Sequence, residues 1–225
     1  MIMTTVYFIR HAQSDYSIHD DRTRPLSEEG LRNSILIADY LRDKHINIIF
    51  SSPYKRAIDT IAGFAKNADM PINIVDDFRE RKVDSGWIED FLSFSQKQWV
   101  DFTYKLSNGE CLAEVQERNI AALSKVLTEN KDKNIVIGTH GTALSTIINY
   151  YDNTYGFDDF MDMVEIMPWV VRMDFNDDGC VGMEKIDLFK PTKYSKKERL
   201  EQKGYMFSNI RVEHKTAIGD NNGKK

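Results

Sequence analysis

Cysteine is scarce in this 225-residue chain, with only Cys111 and Cys180 present. Two such residues make neither a disulfide framework nor a Cys-x-x-Cys metal site, and they read as ordinary small hydrophobic thiols. Long apolar runs are missing too. No stretch approaches the ~20 apolar residues that a membrane-spanning helix needs, so no membrane partner is expected. The apolar start is short and runs straight into an Arg-His pair, which does not fit a signal peptide. A reducing, cytoplasmic setting is the default expectation. Positive charge is not in excess, because 30 Lys and Arg stand against 35 Asp and Glu for a net charge of −5. With both signs spread along the chain, wholesale nucleic-acid binding is not indicated, and phosphate capture would fall to local arginines. There is no internal repeat, no low-complexity linker and no His-x-His or carboxylate cluster with metal-ligand spacing. No metal and no cofactor are therefore expected.

What the chain does have is a set of apolar strands that end in functional side chains. The 41% hydrophobic content suits one globular α/β domain, or one with an appendage. Val6-Tyr7-Phe8-Ile9 runs into Arg10-His11, the pattern of a buried strand that stops in a loop. Asn134 to Thr139 does the same and ends at His140-Gly141-Thr142. Ile46 to Phe50 ends at Ser51-Ser52-Pro53 and is followed by Arg56. Ligands of open α/β sheets sit at the carboxyl ends of strands, so these three ends are expected to form one phosphate site.

The elements between them follow from periodicity. Ser27 reads as an N-cap with acidic residues in the next turn, opening a helix from about Glu28 to Asp43. Leu31, Ile35, Ala38, Ile37 and Leu41 would form its buried face. A second helix is expected from about Pro53 to Asn67. Arg56 falls in its first turn, against the dipole. That fits either a bound anion or a surface arginine. Ile72 to Val75 is a short strand leading into the charged run Asp76 to Arg81, which is either a solvated loop or the source of a general acid. The aromatic stretch Trp87 to Leu106 suggests helical packing over the sheet edge, or the lid and apolar wall of a pocket. Glu110 to Asn130 and Thr142 to Tyr151 read as helices, and the second would aim its N-terminal N–H groups at the site. Met163 to Phe175 is β-like, Asn176 to Gly179 is a hairpin turn, and Cys180 to Leu188 returns. The expected architecture is a three-layer α/β/α sandwich with a mostly parallel central sheet and an antiparallel edge strand. It would occupy residues 1–190, with a helical lid insertion at about 81–108. A Lys-rich, polar extension from 191 to 225 is expected to be partly disordered, and Tyr205-Met206-Phe207 is a segment that could dock on the body.

Together, Arg10, His11, Arg56 and His140 suit a phosphomonoester. Planar guanidinium groups match phosphate oxygens in pairs. A neutral imidazole can attack phosphorus and split one hard step into two. Neighbouring cations should keep that imidazole neutral. A second histidine, charged or donating, would stabilise the equatorial oxygens. A carboxylic acid is then needed for the leaving group and for water.

Arg10-His11-Ala12-Gln13-Ser14 resembles the Arg-His-Gly motif of the histidine phosphatase superfamily, the phosphoglycerate mutase-like clan. Leu26-Ser27-Glu28-Glu29-Gly30 resembles its Leu-Ser-x-x-Gly, and Ser52 to Thr60 matches Ser-Pro-x-x-Arg-Ala-x-x-Thr. Gly109-Glu110-Cys111 with the segment Val115 to Arg118 is similar to its Gly-Glu-Ser helix start and following Arg. His140-Gly141-Thr142 matches its second histidine motif. The resemblance covers roughly residues 4–150. It implies a histidine acid phosphatase-type phosphomonoesterase that needs no metal and acts on a small phosphorylated substrate. His11 would be the nucleophile. Arg10, Arg56 and His140 would hold the phosphoryl group, and Glu80 would be the proton donor. The backbone at Gly141-Thr142 would help bind phosphate, and Gln13 and Ser17 would line the pocket. The departures are Ala12 for the usual Gly, Gln13 for a common Glu, and Ser17 where mutases tend to have Asn. Between Glu80 and Gly109 the only cations are Arg81, Lys82, Lys97 and Lys105, which favours a phosphatase over a mutase. A phosphoglycerate mutase and a non-catalytic relative that binds a phosphorylated ligand or protein are the alternatives. Trp87, Phe91 and Phe94 suggest a bulky apolar or aromatic leaving group. Oligomeric state is not legible from the sequence.

Overall fold

The computed structural model describes residues 3–86 and 88–189. The extension expected from residue 191, including Tyr205 to Phe207, and the lid residue Trp87 lie outside the described residues. The fold below is that of the first of two units into which the chain divides, Met1–Leu188.

Six strands form one sheet: β1 (Thr4–Arg10), β2 (Ile48–Ser51), β3 (Ile72–Ile74), β4 (Asn134–Thr139), β5 (Trp169–Asn176) and β6 (Gly179–Ile186). Their order is β3-β2-β4-β1-β5-β6. The first four run parallel, and β5 pairs antiparallel with both β1 and β6. The antiparallel edge is the expected hairpin, β5 and β6. Six helices are α1 (Glu28–Leu41), α2 (Lys55–Asn67), α3 (Phe91–Val100), α4 (Leu112–Glu129), α5 (Gly141–Tyr151) and α6 (Phe157–Met163).

Side-chain alternation builds the two outer layers. On β1, Val6 and Phe8 join one core cluster, while Tyr7 and Ile9 join another. On β4, Ile135 and Ile137 face the first cluster and Val136 the second. The first cluster includes residues of α4, α5 and α6; the second includes residues of α1 and α2. Every residue of β1 is buried, as a strand covered on both faces requires.

Two expectations need correction. On α1 the buried residues are Gly30, Ile37 and Leu41. Leu31 and Ile35 are 54% and 60% exposed, because they fall about 120° and 160° round the helix from Ile37, which packs on the sheet. The β-like reading of Met163 to Phe175 fails at its start, where α6 ends at Met163 and β5 begins only at Trp169. Apolar residues around Phe160 and Met163 pack as a helix under the first cluster. A short apolar segment is ambiguous between the two periods. The aromatic stretch after residue 87 is likewise helical only over α3.

Gly30 is fixed by a close approach, since a Cβ there would sit 2.0 Å from the backbone oxygen of Gln13. Gly63, inside α2, would place its Cβ 4.0 Å from Ala38. Gly30→Ala is therefore expected to cost about 1–3 kcal/mol through overpacking. Gly63→Ala should stabilise by roughly 0.5–1 kcal/mol through helix propensity. Denaturant midpoints of the two variants should move in opposite directions.

Candidate active site

Register puts the site together. Arg10 of β1 pairs with Thr139 of β4, and Ser51 of β2 pairs with Gly138. The three strands thus stop at one level, and the next residues, His11, His140 and Ser52, emerge side by side. Backbone bonds continue past the strands: His11 N–H donates to Thr139 O at 3.1 Å, and Ser52 N–H to Gly138 O at 2.8 Å. The His11 and His140 ring centroids are 5.3 Å apart.

Each imidazole is fixed by a hydrogen bond. His11 Nδ1 lies 2.7 Å from Ala12 O. A carbonyl can only accept, so Nδ1 carries the proton and the Nε2 lone pair is left available. His140 Nε2 lies 2.7 Å from Ser52 Oγ. Ser52 Oγ also accepts from Tyr54 N–H at 3.2 Å, and among the described residues His140 Nε2 is the one acceptor its hydroxyl proton meets, so the arrangement that satisfies the serine has Ser52 donating to His140. His140 then carries its proton on Nδ1, and that buried atom has no partner among the described residues. Burial, then Arg56 and Arg10, holds His11 well below the usual histidine range. Burial, then Arg56 and His11, does the same to His140. Of the two roles open to the second histidine, charged or donating, this environment selects the neutral donor.

Two arginines flank the pair. Arg10 Nη1 donates to Met163 O at 2.6 Å, at the end of α6, and to Ile166 O at 3.0 Å, between α6 and β5. Its buried Nε has no partner among the described residues. Arg56 is not an unpaired cation at a helix start. Its Nη1 donates to Asp21 O at 2.5 Å and pairs with Asp21 Oδ1 at 3.0 Å. Its guanidinium also lies 5.0 Å from the centre of the Tyr54 ring, and Tyr54 stands edge-on to His140. The two arginines and the two histidines come together as the sequence suggests.

Ala12 causes no strain. It is absent from the non-glycine residues with positive φ. Its N–H donates to Thr60 Oγ1 at 2.9 Å, and its carbonyl serves His11. Gln13 and Ser17 are engaged elsewhere: Gln13 Oε1 accepts from Ser27 Oγ at 2.6 Å, and Ser17 is bound to Asp15 in an exposed loop.

Glu80 meets the start of α5. Thr142 N–H donates to its Oε2 at 3.0 Å, and Ala143 N–H and Arg81 N–H donate to its Oε1 at 3.1 and 2.7 Å. The Thr142 N–H assigned to phosphate is thus taken by Glu80, and Gly141 opens the helix beside it. The segment bearing Glu80 is clamped from α4, a role that sequence reasoning missed. Arg118 donates to Asp77 O at 2.6 Å, Arg79 O at 3.0 Å and Glu80 O at 3.3 Å. Glu110 accepts from Arg118, Arg79 and the N–H of Lys82. Burial works against its charge, but the bonds from Arg118 and Lys82 hold Glu110 below its ordinary range. The Gly-Glu and Arg118 motif carried this signal, and the Ser52 to Thr60 motif carried that of the serine that meets His140 and the threonine that meets Ala12. Among the described residues, no three His, Cys, Asp or Glu side chains gather as a metal site would need.

Comparison with known proteins gives one family. The model of the histidine phosphatase superfamily (branch 1) matches residues 6–179. The Bacillus subtilis protein named "Uncharacterized phosphatase PhoE" is 31% identical over 151 residues, which span 65% of this chain and 76% of that one. The Yersinia pestis protein named "Probable phosphoglycerate mutase GpmB" is 28% identical over 161 residues, 65% of this chain and 74% of the relative. Among solved structures, a phosphoserine phosphatase mutant of Entamoeba histolytica in complex with phosphoserine superposes with a TM-score of 0.68. It is 19% identical and covers 82% of this chain and 98% of its own. A mycobacterial glucosyl-3-phosphoglycerate phosphatase gives 0.67 at 15% identity, over 81% and 97% of the two chains. These likenesses bear on the fold.

Two outcomes follow from the geometry. Ser52→Ala removes the bond that keeps the His140 proton on Nδ1, so the inhibition constant of inorganic phosphate should rise about fivefold to tenfold, one hydrogen bond's worth. Stability should also depend on acid. Both histidines are held neutral in the native fold, while the unfolded chain takes up protons as pH falls through about 6.5. The unfolded state then binds more protons, so stability is full at and above neutral pH and declines below about 6.5. The slope is up to about 1.4 kcal/mol per pH unit for each histidine. Replacing both by Asn should flatten the acid limb of midpoint against pH.

Proposed function

We propose that this chain, which belongs to branch 1 of the histidine phosphatase superfamily, is a metal-independent phosphomonoester hydrolase that acts through a phosphohistidine on His11. The observation that carries the reading is the pair of buried donors without a partner among the described residues, Arg10 Nε and His140 Nδ1, beside an imidazole whose Nδ1 carries the proton and whose Nε2 keeps its lone pair. Buried donors are costly unless bonded, and an anionic phosphoryl group offers acceptors for both. Arg56, held through Nη1, supplies a further cation.

In the first step Nε2 of His11 forms a bond to phosphorus as the bond to the leaving oxygen breaks. Glu80 gives a proton to that oxygen. His140 and the arginines hold the equatorial oxygens, where negative charge is concentrated. In the second step water attacks phosphorus, its proton passes to Glu80 and the P–N bond breaks. Inorganic phosphate leaves and neutral His11 is restored. Three N–H bonds, from Thr142, Ala143 and Arg81, hold the Glu80 carboxyl in place for both transfers.

Hydrolysis rather than mutase chemistry is supported by the cations between Glu80 and Gly109. Arg81 is buried, Lys105 is paired with Glu114, and Lys97 lies over the Tyr104 ring at 5.9 Å. Arg81 and Lys105 are thereby engaged, which leaves the exposed Lys82 and Lys97 as the cations there that could meet a substrate carboxylate. The names of the phosphatase relatives favour a small phosphorylated substrate. The chain is a candidate histidine acid phosphatase-type phosphomonoesterase, and no described helix is long and apolar enough to cross a membrane.

The test is phosphate release in the presence of chelator from an aryl phosphate, a sugar phosphate, a nucleotide and 3-phosphoglycerate. Release is expected from at least one, and His11→Ala should abolish both turnover and labelling of the protein by phosphate. Undiminished turnover in His11→Ala would end the phosphohistidine reading. Transfer of phosphate between positions of a phosphoglycerate without release would favour the mutase.

A further inference from the structure

Arg81 is a buried arginine next to Glu80 that the mechanism above does not use. The residue is 3% exposed. The guanidinium lies 5.4 Å from the centre of the Phe91 ring and 5.2 Å from that of Phe94, both on α3. Its Nη1 donates to Gln98 Oε1, on the same helix. Its Nε has no partner among the described residues. A buried cation is ordinarily matched by a carboxylate, whereas this one has two aromatic faces and a neutral amide. Burial pushes it down to about 10, against the attraction of Glu80 and Glu110. An arginine placed at such cost needs a reason beyond packing, which an aliphatic side chain would do as well.

The backbone of the same residue supplies that reason. Arg81 N–H donates to Glu80 Oε1 at 2.7 Å. The side chain that α3 grips and the N–H that aims the Glu80 carboxylate therefore belong to one residue. Gln98 extends the link, because its Nε2 donates to Tyr104 O at 2.9 Å and to Glu110 O at 3.0 Å. Glu110 in turn holds Arg79 and Lys82, on either side of Glu80 and Arg81. Any shift of α3 is carried to the carboxylate through a guanidinium, one residue of backbone and one hydrogen bond.

We infer that Arg81 is a positioning residue that couples the seating of α3 to the aim of the Glu80 carboxylate, through its stack on Phe91 and Phe94 and its bond to Gln98. The inference rests on Glu80 being the general acid. It makes the helical segment over residues 91–100 a determinant of proton delivery and not only a pocket wall.

The experiment compares Arg81→Met, Gln98→Leu, Gln98→Glu and Glu80→Gln on two substrates, an alkyl phosphate and a nitrophenyl phosphate. An alkoxide leaves poorly without a proton, while nitrophenolate needs little help. Arg81→Met and Gln98→Leu are expected to lower kcat for the alkyl ester by up to about 100-fold, the scale of a misplaced catalytic group. For the aryl ester kcat should stay within about threefold, as should the inhibition constant of inorganic phosphate, since general-acid help, not phosphate binding, is lost. Gln98→Glu keeps an acceptor for Arg81 Nη1 but loses the donors to Tyr104 O and Glu110 O, so its ratio between the substrates should fall between those of wild type and Gln98→Leu. Glu80→Gln should show the same selectivity as Arg81→Met, and more strongly. Equal loss on both substrates in Arg81→Met and Gln98→Leu, or no loss, would overturn the inference while a selective Glu80→Gln leaves the general acid in place. Equal loss in Glu80→Gln would overturn the general-acid reading and the inference with it. Should Arg81→Met not fold, the contrast between the two Gln98 variants decides the same question.

Discussion

The parallel pairing of β1 with β4, in the register that sets Arg10 opposite Thr139, is the constraint on which the rest depends. Both strands sit in the middle of the sheet, and both are followed at once by a histidine. A slip of one residue would turn every side chain of a strand to the other face. It would bury Tyr7 and Ile9 where Val6 and Phe8 now pack, and it would part the two imidazoles. The apolar alternation that holds the register is therefore also what sets the distance between the rings. Hydrophobic packing, which has no directional chemistry, fixes the geometry of a polar site.

The same burial decides protonation. Two imidazoles in contact, with Arg10 and Arg56 nearby, stay neutral because desolvation and the neighbouring cations act in the same direction. Each ring then has one nitrogen protonated, and the choice is made by the simplest available groups, a backbone carbonyl and a serine hydroxyl. The anion-binding start of α5 is occupied from within by Glu80. Carboxylate, histidines and helix terminus are thus held against one another by bonds within the chain.

Much of this was legible in the chain. The strands ending at His11 and His140 could be read because buried parallel strands are continuous apolar runs, and the ordered motifs from Arg10 to Thr142 supported the site. What could not be read lies in long-range contacts. Leu31 and Ile35 have the spacing of a helical face, and only the direction in which α1 meets the sheet shows that they stay outside. The residues around Phe160 are too short a run for period alone to choose between helix and strand. Glu110 and Arg118 are recognisable as a motif, but their service to Glu80 depends on α4 crossing behind it. Asp21 sits in a charged loop that gives no hint of its bond to Arg56.

Ala12 bears on how such chains are sorted. A pattern that demands glycine after the first histidine would discard this chain as a degenerate relative. Yet the position contributes a carbonyl to His11 and an N–H to Thr60, and every residue but proline has both. The backbone there does not enter the region reserved for glycine. The useful diagnostic at that position is main-chain shape, so loss of the glycine is weak grounds for assigning a chain to the inactive branch of a sequence tree.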